Sequence, residues 1–577
     1  MMGTKITEII QKSIKRAQQN GRLPDFEIPE IKIEHPKQKG HGDYAVSIAL
    51  VIGKILKKNP TEIAKIIKSH ILDLEPGFFE KIEVVKPGFV NFFLSKEYLI
   101  KELAQVLEEK EKYGSGRVKK TVVIDYSAPN IAKPFGIGHL RSTIIGQSIY
   151  NIYKFLGWKC IGDNHLGDWG TQFGKMMVAI RKWADKDKIN DLTIAELEKL
   201  YVKFHQEMEK EPGLEEKARI WFKKLEDKDK EAERIWKACV NISLKEFNKI
   251  YDLLGVRIDH ALGESFYEGK MTPIIKEALD KKIAVKSRGA VVIKYPEDKL
   301  PLAIILKSDG ATNYFTRDLA TIQYRLKKWK PDLIIYEVGV EQSLHFKQLF
   351  EAVELLGWIR KDRLIHVAHG LYRSKTGKFS TRKGQTIHLE GILLEAIERA
   401  GKIVDSSETG KGLSGKEKEE IAKTVGIGAV KYNDLAQHYS RDIVFDWDKI
   451  LNLKGNSGPY LQYTYARCTS ILRKSGLKPD FKNIKDIKLN PEEKALLLEI
   501  CQFPETVQEA AQKFSPNLIC SFAFDLAQKY NLFYQLHSVI KAGTEDSKTF
   551  RLSLTAAIAQ VLKNSLSLLG IDCPKRM

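Results

Sequence analysis

PNIAKPFGIGH, residues Pro129–His139, is the stretch on which the reading of this chain turns. Just before it, Thr121–Tyr126 is a short run rich in β-branched residues. Just after it, Leu140, Ile144, Ile145, Ile152 and Leu156 share one helical face. Strand, glycine loop and helix in that order open a mononucleotide-binding βαβ unit. Gly136 and Gly138 let backbone approach a ligand closely, and a helix beginning near His139 presents unpaired N–H groups to an anion. Alone, the same loop describes a tight structural turn with a helix-capping histidine.

The flanking sequence fills out an α/β plan. Upstream, Ile6, Ile9, Ile10 and Ile14 recur at helical spacing, as do Ile48, Val51, Ile52 and Ile55. Lys81–Val85 and Phe89–Leu94 read as strands about the turn Pro87-Gly88, and the basic stretch Gly116–Lys120 leads out of this unit. A small N-terminal α/β domain over 1–114 and a Rossmann-like parallel-sheet domain over 118–395 are expected. Within the latter, 184–285 is charged and helical in pattern, broken at Pro212-Gly213, and reads as an insertion with solvated faces. Ala290–Lys294 and Leu333–Val338 are strand-like and are expected to complete the sheet.

From about residue 415 the pattern is almost wholly helical. Leu496, Leu497 and Ile500 form one apolar set. Leu518, Ile519, Phe522, Leu526, Phe533 and Leu536 form another, entered through Pro516-Asn517. A connecting helical region over 396–455 and an all-α bundle over 456–577 are expected to follow.

At 577 residues the chain exceeds one core, and ~100–200 residues per domain implies roughly three to five domains. With 43% hydrophobic and 29% charged residues it is of globular type, which argues against disorder. Lysine and arginine number 94 against 74 acidic residues, a net charge of +20. That excess fits a polyanionic partner, since each neutralised phosphate releases counterions. A lysine-rich solvated surface fits it equally. Cys160, Cys239, Cys468, Cys501, Cys520 and Cys573 are scattered with no CxxC pair, so neither structural zinc nor a secreted disulfide framework is expected. No apolar run reaches the ~18–20 residues needed to span a bilayer. The N-terminus is amphipathic rather than signal-like, so a cytoplasmic protein without membrane partners is expected.

Far downstream, Gly377–Ile387 reads GKFSTRKGQTI. Lys378, Arg382 and Lys383, with small hydroxyl residues on a glycine-bounded loop, suit a flap over a polyphosphate that neutralises charge on a leaving pyrophosphate. Alone, this reads more readily as a solvated basic loop.

Together the two loops resemble the HIGH and KMSKS signatures of class I aminoacyl-tRNA synthetases, and the surrounding sequence is similar to that of arginyl-tRNA synthetases. The resemblance is carried by SAPNIAKPFGIGHLRSTIIGQ (Ser127–Gln147), NHLGDWGTQFGK (Asn164–Lys175), NYFTRDLA (Asn313–Ala320) and EQSLHFKQLF (Glu341–Phe350), in family order. HGDYA (His41–Ala45) and GFVNFFL (Gly88–Leu94) match near the N-terminus, GPYLQYTYAR (Gly458–Arg467) and LLGIDCPKRM (Leu568–Met577) at the other end.

The resemblance implies a class I catalytic domain, an N-terminal domain that touches the tRNA elbow near its D-loop, and a C-terminal anticodon-binding bundle. It implies a monomer that forms arginyl-adenylate from L-arginine and ATP, with Mg2+ as part of the ATP substrate complex. The arginyl group then passes to the 3′ adenosine of tRNA-Arg, and bound tRNA is needed before arginine is activated. By matching, Pro129, Gly136, Gly138, His139 and His345 lie against ATP. Lys378 holds the phosphates in the transition state, with Lys133 and Lys383 as further catalytic cations.

For the amino acid, a guanidinium offers a fork of five donors, so its pocket should supply carboxylates and oriented acceptors. The matching positions are Asp125, Asn130, Tyr314, Asp318 and Gln342. The stretch GDWG (Gly167–Gly170) reads as a structural turn bordering the site, with Trp169 shaping it. Tyr460, Tyr463, Tyr534 and the terminal Met577 match tRNA-facing positions, where rings can stack on splayed bases.

Two departures stand out. Gly136 replaces the first HIGH histidine, which removes one phosphate donor. Such a loss costs ~10²-fold in rate unless a neighbour compensates. Lys378–Thr381 reads KFST where KMSK would stand; the family's remedy is the lysine before HIGH, here Lys133, with Lys383 nearby. Gly136 alone favours an alternative, a weakened relative that binds tRNA without catalysis. The intact His139, Lys133, Lys378, Tyr314 and Asp318 speak against it.

Overall fold

Four parallel strands form the sheet that carries the site. In the computed structural model, β1 (Thr121–Asp125), β2 (Lys159–Asp163), β3 (Leu333–Gly339) and β4 (Leu364–His369) lie in the order β4-β3-β1-β2. The structure describes residues 2–577 apart from 37, 39, 375, 376, 379–387, 409 and 478–486. Val122, Val123, Ile124, Ile334 and Ile335 are all fully buried, as strands covered by helices on both faces require. The chain leaves β1 into helix α1 (Ile137–Phe155), returns as β2 on one side, and later places β3 and β4 on the other. The order therefore reverses between β1 and β3, and ligands of such sheets bind beyond the strands' carboxyl ends at that point.

Helix α1 is buried almost all round because it is enclosed between this sheet and the C-terminal helices. Ser148 Oγ donates to the Leu568 carbonyl at 3.1 Å and Tyr153 OH to that of Ala511 at 3.1 Å. Arg141, fully buried, donates to Asp434 at 3.1 Å and to the carbonyls of Arg441 and Tyr439 at 2.6 and 3.1 Å. Each of its nitrogens thus has a partner, the condition for burying a guanidinium without a large penalty.

The sheet closes without Ala290–Lys294. That run is the middle strand of a separate antiparallel sheet formed by Ala284–Ser287, Ala290–Ile293 and Ala303–Leu306. Arg288 and Gly289 both have positive φ (49° and 80°), the geometry of a tight two-residue hairpin, so the run pairs with its neighbour instead of crossing over.

The charged insertion is helical as expected, with helices Ile194–Met208, Gly213–Glu226 and α2 (Lys230–Leu254). It is not solvated throughout: α2 buries Phe247, Ile250, Tyr251 and Leu254 against the body of the protein. After the small sheet come α3 (Tyr314–Trp329) and α4 (Ser343–Leu355). Next are helix Leu389–Ser406 and α5 (Gly415–Leu435), then a bundle of α6 (Gly458–Ser475), Pro491–Gln512, α7 (Asn517–Leu536) and Glu545–Leu568.

The N-terminal domain is a four-stranded antiparallel sheet against helices Met2–Gln19, Ile48–Leu56 and Pro60–Leu74. It docks on the bundle, where Lys494 pairs with Glu80 at 2.9 Å; in the segment that follows it, Tyr113 OH donates to the Ile500 carbonyl at 3.1 Å. Among the described residues no helix is long and apolar enough to cross a membrane, and no group of three or more His, Cys, Asp or Glu is placed to hold a metal ion.

Candidate active site

The loop after β1 is held in an unusual backbone path. Ser127, Ala128 and Ala132 all have left-handed φ (76°, 44° and 61°), a conformation that costs non-glycine residues ~1–3 kcal/mol each. Hydrogen bonds from three segments offset this. Ser127 N–H donates to Ser142 Oγ at 2.9 Å, and Ser127 Oγ meets Thr143 Oγ1 and Tyr251 OH at 2.8 and 2.9 Å. Ala128 N–H donates to Asn164 Oδ1 at 2.9 Å and Ala132 N–H to Ser243 Oγ at 2.8 Å. Ser243 and Tyr251 belong to α2, so the insertion builds part of the site's scaffold.

Pro129 is buried, and its carbonyl accepts the Gly167 N–H at 3.2 Å. Asn130 bridges Gly167 in parallel fashion. A Cβ on Gly167 would fall 2.3 Å from Asn130 Oδ1, so any larger residue there must displace the Asn130 side chain. The turn read as structural at Gly167–Gly170 is therefore a direct wall of the loop. Beyond it, Asp168 accepts from Ser265 N–H and Oγ at 2.8 and 2.6 Å, and Trp169 packs on Phe222 and Trp236.

Gly136 caps α1, and its N–H donates to His139 Nδ1 at 3.2 Å. His139 is thus the capping histidine that the bland reading of the loop allows. Because Nδ1 accepts, the proton of the neutral ring sits on Nε2, which is left for a ligand. Burial pushes its pKa down to about 4, against the pull of the Gly136 contact, so the ring is neutral near pH 7. Gly138 is exposed and a Cβ there would meet nothing within 4 Å, which leaves the helix N-terminus open to an anion.

Residues matched to the amino-acid pocket from sequence gather at the start of α3. Asp318 Oδ2 stands 2.7 Å from His345 Nε2 and Oδ1 3.7 Å from His165 Nε2. Tyr314 is 63% exposed, with its ring centroid 5.1 Å from that of His345. Gln342, at the end of the turn before α4, is also exposed. His345, matched to ATP from sequence, is engaged with Asp318. It packs among Tyr314, Phe315 and Phe346.

Asp125, matched to the arginine pocket from sequence, pairs with a residue of the chain itself. Its Oδ2 accepts from Arg325 Nη2 at 2.7 Å, and Arg325 Nε donates to Asp163 at 2.9 Å, all three side chains being buried. Burial works against the charge of Arg325, but the two carboxylates outweigh it and hold the guanidinium firmly protonated. The chain's own arginine therefore pairs with one oxygen of Asp125, while Oδ1 has no hydrogen-bond partner among the described residues.

Lys133 lies over the Tyr201 ring at 5.3 Å. Lys378 lies in a two-residue strand that pairs with Arg373 and Ser374, and its side chain, like Lys383, lies outside the described residues. In the bundle, Arg467 sits 4.9 and 5.1 Å from the rings of Tyr463 and Tyr534, both more than a third exposed. Tyr460 OH accepts from Asn531 at 2.9 Å. Tyr463, Arg467 and Tyr534 border a cavity of about 770 Å3 lined also by Lys541, Lys575 and Arg576. Met577 reaches this cavity, yet its side chain is mostly buried with Ala400, Val404, Leu413, Val425 and Ala466, so it anchors the chain end.

Several groups around the site are not marked by the sequence. His165 was inside a matched block but not singled out. Arg325 follows Asp318 on the same face of α3, which is the signal that could have found it. The pair Glu337–His369, on β3 and β4, had no sequence signal, since only strand register brings the two together.

Family models place this geometry. Residues 102–447 match the model of tRNA synthetases class I (R), catalytic domain; 461–577 match the DALR anticodon binding domain; 4–94 match the arginyl tRNA synthetase N terminal domain. An arginine–tRNA ligase of Clostridium botulinum is 43% identical over 569 residues, covering 98% of this chain and 99% of the relative. One from Halothermothrix orenii is 43% identical over 566 residues, covering 96% and 97%. The crystal structure of arginyl-tRNA synthetase from Plasmodium falciparum superposes with a TM-score of 0.84 at 26% identity, covering 100% of this chain and 99% of that one. The Thermus thermophilus arginyl-tRNA synthetase shares the fold, with a TM-score of 0.82 at 24% identity and both chains covered in full. The chain belongs to the arginyl-tRNA synthetase family of class I aminoacyl-tRNA synthetases.

Proposed function

We propose that this chain charges tRNA-Arg with L-arginine in two steps at the crevice beyond β1 and β3. One observation carries the assignment of the site: the loop Ser127–Lys133 joins an anion-receiving helix start to a carboxylate recess through a shared wall. Asn164 holds Ala128 on the loop side, and its neighbour His165 faces Asp318 in the recess.

In the first step an arginine carboxylate oxygen attacks the α-phosphorus of ATP. The bond from that phosphorus to the bridging oxygen breaks, and pyrophosphate leaves. ATP enters as its Mg2+ complex. His139 Nε2–H and the open amides at Gly138 receive the nucleotide, while Lys133, Lys378 and Lys383 supply positive charge as the pyrophosphate departs. Asp318 takes the substrate guanidinium, with Tyr314, Asn130 and Gln342 around it. In the second step the 2′-hydroxyl of the tRNA 3′ adenosine attacks the acyl carbon and AMP leaves.

Tyr460, Tyr463 and Tyr534 meet the anticodon loop, and the N-terminal domain meets the tRNA elbow. The protein works as a cytoplasmic monomer, as its family resemblance implies. Arginine-dependent ATP–pyrophosphate exchange, measured with and without tRNA-Arg, tests this reading. Exchange that requires tRNA supports it. No exchange under either condition would sink it, and equal exchange without tRNA would remove the tRNA requirement.

A further inference from the structure

The missing donor at Gly136 leaves a question that a buried pair beside the site answers. Glu337 lies near the carboxyl end of β3 and His369 at the end of β4, in register with Gly339. His369 Nδ1 meets Glu337 Oε1 at 2.9 Å. Glu337 is fully buried, and its Oε2 has no hydrogen-bond partner among the described residues. A buried carboxylate with so little compensation is retained at a cost unless a cation or strong donor faces it. It accepts only, so it fixes the proton on Nδ1 and directs Nε2 away.

Nε2 lies beside Gly339, at the carboxyl end of β3. A Cβ on Gly339, the last residue of β3, would lie 3.6 Å from His369 Nε2 and 3.8 Å from Glu341 Oε2. His369 is close enough to His139 for its charge to help hold that ring's pKa down. The pair is therefore at the switch point of the sheet, beside the histidine that receives ATP.

We propose that His369 supplies the phosphate-directed hydrogen-bond donor that Gly136 lacks, with Glu337 as its positioning residue. This rests on the assignment of ATP to the α1 N-terminus made above. The donor is the Nε2–H of His369, aimed at a non-bridging oxygen of the departing pyrophosphate. The groups facing it are Glu337 from β3, Glu341 past Gly339, His139 from α1, Asp434 from α5 and His366 on its own strand. The other histidine near Gly136 is His388, which bridges it through backbone. Its Nε2 is held 3.3 Å from Glu198 and its side chain is half exposed, so it is a poorer donor.

The test is ATP–pyrophosphate exchange by the full chain at saturating tRNA. The double variant His369→Phe/Glu337→Val removes both partners together, which spares the fold an orphaned buried charge. The expected result is a fall in kcat of about 10–100-fold, with KM for ATP changed less than about threefold. Adding Gly136→His to that double variant recovers at least about tenfold of the loss. Wild-type exchange by the double variant, a loss that Gly136→His does not repair, or a comparable loss in His388→Ala alone overturns the proposal.

A second measurement needs no variant to fold. In protein carrying 13C-labelled histidine, the His369 Cε1 signal shifts when a non-hydrolysable ATP analogue binds with tRNA, and a signal that stays put overturns the proposal as well. His139→Asn separates the two layers. If it leaves exchange unchanged, the ATP assignment fails and the His369 role falls with it. If it lowers exchange while the His369 variants do not, only the latter is lost.

Discussion

His345 Nε2 and Asp318 Oδ2 are 2.7 Å apart, one from α4 and one from α3, with His165 Nε2 on the other carboxylate oxygen at 3.7 Å. Two imidazoles thus flank the carboxylate proposed to recognise a guanidinium. A charge-assisted hydrogen bond contributes ~1.5–3 kcal/mol. Asp318→Asn is therefore expected to raise KM for arginine about 10–100-fold in tRNA-saturated exchange, with KM for ATP nearly unchanged. A parallel rise in both constants would place Asp318 outside the amino-acid recess.

Gly167 sets the position of Asn130 by leaving no room for anything else. A Cβ there overlaps Asn130 Oδ1 at 2.3 Å, and Gly167 also receives the Ile131 N–H at 3.1 Å. Gly167→Ala must displace Asn130 or open the bridge. Expected is a loss of about tenfold or more in kcat/KM for arginine, with a thermal midpoint within a few degrees of wild type. Full activity would show that Asn130 does not need this placement.

These two sites mark how far the sequence could be read. The order β1, loop, α1 followed from hydrophobic period and glycine placement, because both are local. The blocks around Asn130, Tyr314 and Asp318 were recognisable as words. What they touch was not. That Asp125 pairs with Arg325 is not legible, because Arg325 lies far along the chain and meets it only through packing of α3 on the sheet. Ala290–Ile293 was assigned to the wrong sheet because its strand-like composition is the same in either. The deciding signal was the Arg288-Gly289 turn, whose two positive φ values a sequence displays only faintly.

His139 should leave a pH signature in stability. Its folded pKa is about 4, below the ~6.5 of an unfolded histidine. Above pH ~6.5 both states are neutral and the group contributes no pH dependence. As pH falls from ~6.5 toward 4 the unfolded chain takes up a proton that the folded chain does not, so stability is lost, by up to about 3 kcal/mol. Thermal midpoints measured across that window should decline less steeply in His139→Asn than in wild type. Identical slopes would show that the ring is protonated in the folded protein.

Arg325 is held by Asp125 and Asp163 with all three side chains buried. Removing one partner from such a cluster strands the others, at a cost of ~3–5 kcal/mol. Arg325→Met is expected to lower the thermal midpoint by several degrees and to reduce soluble yield. Adding Asp125→Asn and Asp163→Asn should recover part of it, since the orphaned charges go with them. If arginine KM rose at unchanged stability instead, Asp125 would belong to the recess after all.

Arg467 lies between the rings of Tyr463 and Tyr534, and Asn531 links it to Tyr460 through a 2.9 Å hydrogen bond. With Lys541, Lys575 and Arg576 it lines an open basic cavity remote from the parallel sheet in sequence. Stacking of a base on such a platform is worth ~1–3 kcal/mol. Arg467→Ala is therefore expected to weaken tRNA-Arg binding about 5–100-fold and, if it neutralises a phosphate, to flatten the salt dependence of log affinity by about 0.7–0.9. Because activation needs bound tRNA in this reading, exchange by the variant should reach the wild-type plateau at higher tRNA concentration. A lowered plateau at saturating tRNA would mean that Arg467 transmits tRNA binding to the catalytic domain rather than merely providing affinity.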